Sequence, residues 1–390
     1  MNGPNESKLT LGILGGGQLG WMLGVAARRL GIECVFLDPA DRCPSDMVGR
    51  RIKTAFDDPS GLDRLADQVD VVTYEFENVP ASAAARLVDR LPVRPSPRSL
   101  EVAQDRLTEK NFIADLGVPV PRFAAIGHPD DLGPALQQVG RPAILKTRRG
   151  GYDGKGQARI AVADDAAARL AELEGAPAIA ESMVPFELEA SVLVVRGVDG
   201  RAETWTPVRN EHVGGILRRS DAPGHGISSS AATAMRRHAV EIANALQHVG
   251  VLAVEFFVLE EMVLVNEIAP RVHNSGHLTI EHAVTSQFEN HVRAVCGLPL
   301  GSTEPRFPTA TMLNAIGDRP SQAQLDAISV PTIDELGDEP TPITTGAARW
   351  HDYRKTARPG RKIGHLTLVA DTIDEDRILK LSALVPASGG

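Results

Sequence analysis

The chain has 390 residues, too many for one small core, so its length predicts two or three domains. Hydrophobic residues make up 43% and charged residues 23%, and no apolar run reaches the length of a membrane span, which excludes a transmembrane helix. A net charge of -9 argues against a general nucleic-acid binder, although basic groups gathered locally can still hold anions. The polar stretch 1–8 lacks the apolar centre of a signal peptide. Cys34, Cys43 and Cys296 have no C-x-x-C spacing, which excludes a disulfide framework or a cysteine-rich zinc site and suits a reducing cytoplasm.

In chain order, an apolar run at 9–14 leads into Gly15-Gly16-Gly17-Gln18-Leu19-Gly20. A helical pattern follows in Trp21, Met22, Val25, Ala26 and Leu30, and Gly31 stops it. Further apolar runs at 34–37 and 69–74 end in Asp38-Pro39 and Glu75-Phe76-Glu77-Asn78. Strands alternating with helices predict a parallel sheet, an α/β first domain spanning 1–104. From Asp105 a helix carries Arg106 and Lys110. Short β-like runs come next at 143–146, 158–162 and 179–183, and longer ones at 188–196 and 202–208. A helix is expected over 231–249, a strand pair at 251–259 and 262–268, and a helix over 281–296. Two short strands near Arg349 and Leu366 close the chain after a Pro/Thr/Asp-rich link. The expected segments are 1–104, 105–186, 187–305 and 306–390.

Two glycine loops compete for a phosphate. Gly15, Gly17 and Gly20 fit G-x-G-x-x-G between a strand and a helix, and Asp38 lies 18 residues beyond Gly20. Alone, that pattern predicts a nicotinamide dinucleotide enzyme. Its physical content is narrower, because glycines let a helix N-terminus approach any phosphorylated ligand. The second loop, Gly150-Gly151-Tyr152-Asp153-Gly154-Lys155-Gly156-Gln157, lies between two β-like runs and is not a Walker A loop. A mobile glycine hairpin can fold its amides over a polyphosphate, and Lys146 on the strand leading in adds a point charge.

Carboxylates sharpen the second loop. Glu181 ends an apolar run, and Glu189 follows eight residues later. Glu255 and Glu267 sit on neighbouring strands among apolar residues, where carboxylates are costly unless paired or metal-bound. Two carboxylates with phosphate oxygens make a magnesium site. A regular hairpin turning at Glu260-Glu261 sets Glu255 opposite Asn266, so the two glutamates reach one ion only through a bulge or register slip.

Lys146, the glycine hairpin, Glu181, Glu189, Glu255 and Asn266-Glu267 in this order resemble the ATP-grasp superfamily. The segments 150–157, 266–277 and Arg358-Pro359-Gly360-Arg361-Lys362-Ile363-Gly364-His365 resemble, more narrowly, the 5-(carboxyamino)imidazole ribonucleotide synthases of purine biosynthesis. The likeness runs over 9–368. It implies an ATP-grasp fold with a Rossmann-like N-terminal domain and a small C-terminal β-rich domain. It also implies a homodimer, ATP and Mg2+ as cofactors, and bicarbonate and 5-aminoimidazole ribonucleotide as substrates. By resemblance, Arg106 and Lys146 meet the ATP phosphates, and Gly151, Tyr152, Asp153, Gly154, Lys155, Gly156 and Gln157 close over them. Glu181, Ser182, Met183 and Val184 hold adenine and Glu189 the ribose. His212 and Asn266 add nucleotide contacts, and Glu255 and Glu267 bind magnesium. Arg271, His273 and Asn274 follow the metal strand, where Arg271 suits a planar carbonate. Arg354, Arg361 and Lys362 suit a 5′-phosphate, with Gly17, Gln18, Leu19 and Glu75 as further acceptor contacts. Asp153 and Lys362 are expected to meet at the acceptor amine, with Tyr152 beside them. The rivals are another carboxylating or formylating ATP-grasp ligase and an NAD(P)-dependent oxidoreductase.

Overall fold

The computed structural model describes residues 9–151, 154–327 and 346–386. The first apolar run forms the strand Thr10–Leu14, which pairs in parallel with Glu33–Leu37 on one side and Val71–Tyr74 on the other. Arg50–Ile52 adds an outer strand. The helix Gln18–Arg29 buries Trp21, Met22, Val25 and Ala26, and Gly31 ends it with a φ of 73°. The Gly15–Gly17 turn, Asp38 and Glu75 follow the carboxyl ends of adjacent parallel strands, where α/β sheets bind ligands.

Four antiparallel strands make the second sheet, in the order Phe123–Ile126, Ala178–Ser182, Ala143–Thr147, Gln157–Ile160. The helices Leu132–Val139 and Ala166–Ala171 cover one face through Leu132, Leu136, Val139 and Ala166. The opposite face presents Ile144, Lys146, Gln157 and Glu181 to a cavity.

The third sheet has nine strands among the described residues and runs across from Met262–Ala269 at one end to Ala348–Asp352 at the other. Alternation along its central strands assigns two faces. Ala190, Val192, Val194, Leu252, Val254 and Phe256 pack under the helix Ser229–Ala245. Leu193, Val195, Val251 and Ala253 pack under the helix Gln287–Val295. Along that second face the apolar run then changes to Ser191, Glu189, Glu255 and Phe257, and the last three line the cavity. The strand Thr309–Ile316 pairs with Ile216–Ala222 and with Lys362–Ala370. The expected boundary after 305 therefore falls inside one continuous hydrogen-bonded sheet.

The helix expected over 281–296 is broken into Thr279–His282 and Gln287–Val295. Ser286 has extended backbone, and its hydroxyl caps the Glu289 amide at 3.2 Å, so a new helix starts there.

Candidate active site

The second and third sheets enclose a cavity of about 720 Å³, within the range of ligand pockets. Arg106, Lys146, Gly151, Gly154, Gln157, Glu181, Ser182, Met183, Val184, Glu189, His212, Glu255, Asn266, Glu267, Arg271, His273 and Asn274 all line it. Tyr152 and Asp153 lie outside the described residues.

The carboxylate pair faces across the hairpin as magnesium would require. Leu259 pairs with Met262 and the ladder runs regularly to Phe256 opposite Val265; the next pair is Glu255 with Glu267. Asn266 is the extra residue of a β-bulge, so Asn266 and Glu267 both turn to the cavity between the buried Val265 and Ile268. Burial raises the Glu267 carboxyl, and the Glu255 charge raises it further. Burial would raise Glu255 too, but the His273 hydrogen bond and charge bring it down to about 2. His273 Nε2 stands 3.1 Å from Glu255 Oε1, while its Nδ1 accepts from the Ser275 amide. Two oxygen donors with like-charge repulsion fit a hard divalent cation that completes its shell with phosphate oxygens. Among the described residues no cluster of three or more His, Cys, Asp or Glu could hold a metal by itself.

Basic groups gather on the side of the second sheet, which with its helices forms the lid of the cavity. Lys146 Nζ donates to Glu181 Oε2 at 2.9 Å, and Lys110 Nζ lies 3.8 Å from the same oxygen. Although burial opposes it, Lys110 and Lys146 hold the Glu181 carboxyl below its ordinary range. Arg106 donates to the carbonyls of Thr147 and Gly151, which pins the base of the glycine hairpin. Its buried Nε has no partner, nor do both amide atoms of Asn274. The orphaned Arg106 Nε and Asn274 Nδ2 are donors that suit an anionic ligand. Across the cavity His212 Nδ1 pairs with Glu189 Oε2 at 2.8 Å, and this bond lifts the imidazole against the lowering effect of burial.

Three expectations are changed in detail, and one feature is new. The amides of Ser182 and Met183 donate to the Arg122 and Pro142 carbonyls, so they are not available to an adenine edge. Phe257 also lines the cavity and stacks on Phe186 at 4.7 Å, an aromatic pair that no motif announced. Lys155 is exposed, and neither it nor Gly156 lines the cavity. Arg271 donates through Nε to Glu77 and through Nη1 to the Val272 carbonyl, so its fork is partly committed. Burial pushes the Glu77 carboxyl up, but the Arg271 charge and hydrogen bond, its own backbone amide and the His273 charge together bring it down to about 2.

The N-terminal glycine loop is filled by the chain itself. Gly17 and Gly20 donate their amides to Glu75 Oε1 and Oε2 at 2.5 Å each, and Gly16 donates to Asp38 Oδ2 at 2.8 Å. A Cβ on Gly15 or Gly17 would lie within 2.8 Å of a Glu75 atom, which is why those positions are glycine. A dinucleotide pyrophosphate finds its seat taken, and the nicotinamide reading fails on that geometry. Burial raises the Glu75 carboxyl, partly offset by the two amides. Lys355, which sequence reasoning missed, donates to Gln18 Oε1. Burial lowers its ammonium to about 8 against the attraction of Glu75. The charges of Arg358, Arg361 and Lys362 reach Lys355, so the basic turn stands against the glycine loop. Arg361 bonds the Thr356 carbonyl, and Arg354 is exposed with a φ of 55°.

Three family models match the chain: the ATP-grasp domain over residues 111–288, the ribonucleotide synthetase preATP-grasp domain over 8–104, and the phosphoribosylaminoimidazole carboxylase C-terminal domain over 310–377. An N5-carboxyaminoimidazole ribonucleotide synthase of Pseudomonas aeruginosa is 43% identical, with 97% of this chain and all of the relative covered. One from Brucella melitensis is 45% identical over 92% of this chain and 96% of its own. The crystal structure of the Thermus thermophilus synthetase superposes with a TM-score of 0.88 at 47% identity, covering 97% of this chain and 99% of that one. An Aspergillus clavatus synthase in complex with ADP and 5-aminoimidazole ribonucleotide superposes at 0.85 with 31% identity, covering 97% and 98%. With its lid, its bulged carboxylate pair and its self-filled glycine loop, the chain belongs to the N5-carboxyaminoimidazole ribonucleotide synthase family of ATP-grasp enzymes.

Proposed function

We propose that this chain uses ATP to carboxylate the exocyclic amine of 5-aminoimidazole ribonucleotide, giving the N5-carboxyamino ribonucleotide, ADP and phosphate. The observation that carries the reading is the bulge that sets Glu255 opposite Glu267 beneath the Lys146 side of the lid. The relatives' stated product and the fungal complex with ADP and 5-aminoimidazole ribonucleotide support the acceptor.

The residues divide the work by segment. In 105–186, Arg106 and Lys146 draw the ATP phosphates in, and the glycine hairpin closes over them. In 187–305, Glu189 and His212 hold the ribose, while Glu255 and Glu267 hold Mg2+, which when bound neutralises phosphate charge. A bicarbonate oxygen attacks the γ-phosphorus, the bond to the ADP oxygen breaks, and carboxyphosphate forms. Arg271, His273 and the unpartnered amide of Asn274 orient it. The acceptor lies between Gly17, Gln18, Leu19 and Glu75 of 1–104 and Arg354, Arg361 and Lys362 of 306–390. The amine nitrogen attacks the carboxyl carbon, the carbon–oxygen bond to phosphate breaks, and Asp153 takes the amine proton beside Lys362 with Tyr152 flanking. A homodimer completes the reading by likeness to the family, and the three free cysteines suit a reducing cytoplasm.

The deciding experiment follows ADP release from the purified chain. Release is expected to require Mg2+, bicarbonate and 5-aminoimidazole ribonucleotide together. Release driven instead by formate and glycinamide ribonucleotide would assign the chain to a formylating ligase.

A further inference from the structure

The bulge at Asn266 is held from outside the hairpin by two consecutive residues that no motif explains. Lys110 Nζ donates to the Asn266 carbonyl at 2.5 Å and to the Val265 carbonyl at 3.3 Å. Glu109 Oε1 accepts from the Ile268 amide at 2.5 Å. Both side chains are almost wholly buried, at 1% and 2% exposure. They lie on the helix Arg106–Asp115, whose first turn is fixed by Asp105 capping Leu107 and pairing with Arg148. The same strand edge is tied at Val265, whose amide donates to the Pro119 carbonyl.

A bulge takes one residue out of the ladder and leaves its backbone groups without strand partners. Buried backbone groups need other partners. Here Lys110 supplies the donor for the carbonyls on one side of the bulge, and Glu109 supplies the acceptor for the amide on the other. Met262–Ala269 is the outermost strand of its sheet, so no further strand supplies these partners. We infer that Glu109 and Lys110 are positioning residues that fix the bulged register, and through it the approach of Glu255 and Glu267 to one cation. The inference rests on the reading of those glutamates as the metal pair.

The test measures Mn2+ affinity of the ADP complex by electron paramagnetic resonance on the full-length chain, with thermal unfolding of each variant alongside. Glu109→Leu and Lys110→Met are expected to weaken Mn2+ by about tenfold or more, as loss of a ligand-orienting partner does, while Glu109→Gln, which keeps the acceptor oxygen, stays within about threefold of the parent. ADP affinity without metal should change far less. Unchanged Mn2+ affinity in the folded Leu and Met variants overturns the inference, as does equal loss in Glu109→Gln and Glu109→Leu. A parent chain that binds no Mn2+ would instead overturn the metal reading. Should both apolar variants fail to fold, amide exchange at Ile268 in the metal-free parent decides. Protection there is expected, and exchange as fast as an exposed amide overturns the clamp.

Discussion

Charge decides the behaviour of Glu267. Its ionised form is disfavoured by burial and by Glu255 opposite, and a cation between the two carboxylates would relieve that repulsion. Glu267→Gln keeps the size and removes the charge. ATP turnover should fall by about two orders of magnitude or more, since metal charge stabilisation is worth several kcal/mol. Circular dichroism and the melting temperature should hold or improve, and near-normal turnover would sink the assignment. Both glutamates were legible as carboxylates on apolar strands. Their mutual approach was not, because it depends on one extra residue, Asn266, which no alternation pattern marks. Glu109 and Lys110 were illegible for a related reason. Lys110 could be placed on a helix but neither residue could be given a role, because only the docking of a strand more than 150 residues away brings them their partners.

At the scale of elements, the glycine loop shows a motif whose form was legible and whose closure on a distant carboxylate was not. The strand, turn and helix followed from Gly15, Gly17, Gly20 and the apolar runs around them. That the loop closes on Glu75 could not follow, because Glu75 lies 55 residues beyond Gly20 and arrives on another strand. Gly20→Ala would place a Cβ 2.7 Å from the Gly15 carbonyl oxygen, against backbone that cannot give. The variant should lose ~1–3 kcal/mol, as overpacked sites do, measured by urea unfolding. Stability equal to the parent would mean the turn is looser than drawn. The same geometry predicts that NAD and NADP produce no binding heat at about 1 mM, and a dissociation constant of about 1 µM for either would restore the dinucleotide reading.

For the whole molecule, the decisive contact joins the N-terminal sheet to the central one. The helix Gln18–Arg29 shares a core with Gln287–Val295, and two buried histidines complete the junction. His291 Nδ1 accepts from the Val251 amide at 3.0 Å, so its Nε2 carries the proton and donates to Thr73 Oγ1 at 2.8 Å. His248 Nε2 donates to the Val251 carbonyl at 3.0 Å, and its Nδ1 pairs with Ser99 Oγ at 3.1 Å. Each ring bridges an N-terminal hydroxyl and the strand Gly250–Leu259, and His291 must be neutral to accept from the Val251 amide. Burial brings His248 down to about 4, and burial with the nearby His248 charge brings His291 down to about 3. Their folded values lie below the unfolded value near 6.5. The stability this provides is full above about pH 6.5 and is lost as pH falls towards 4 and 3, where the folded protein is protonated as well. The unfolding free energy should fall below about pH 6.5 with a slope approaching ~1.4 kcal/mol per pH unit for each ring. His291→Gln lowers stability at about pH 8 by losing one of the two bonds, yet removes one proton's share of the slope. Urea midpoints of parent and variant between about pH 8 and pH 5 test this, and parallel pH curves would show that the junction does not sense acid.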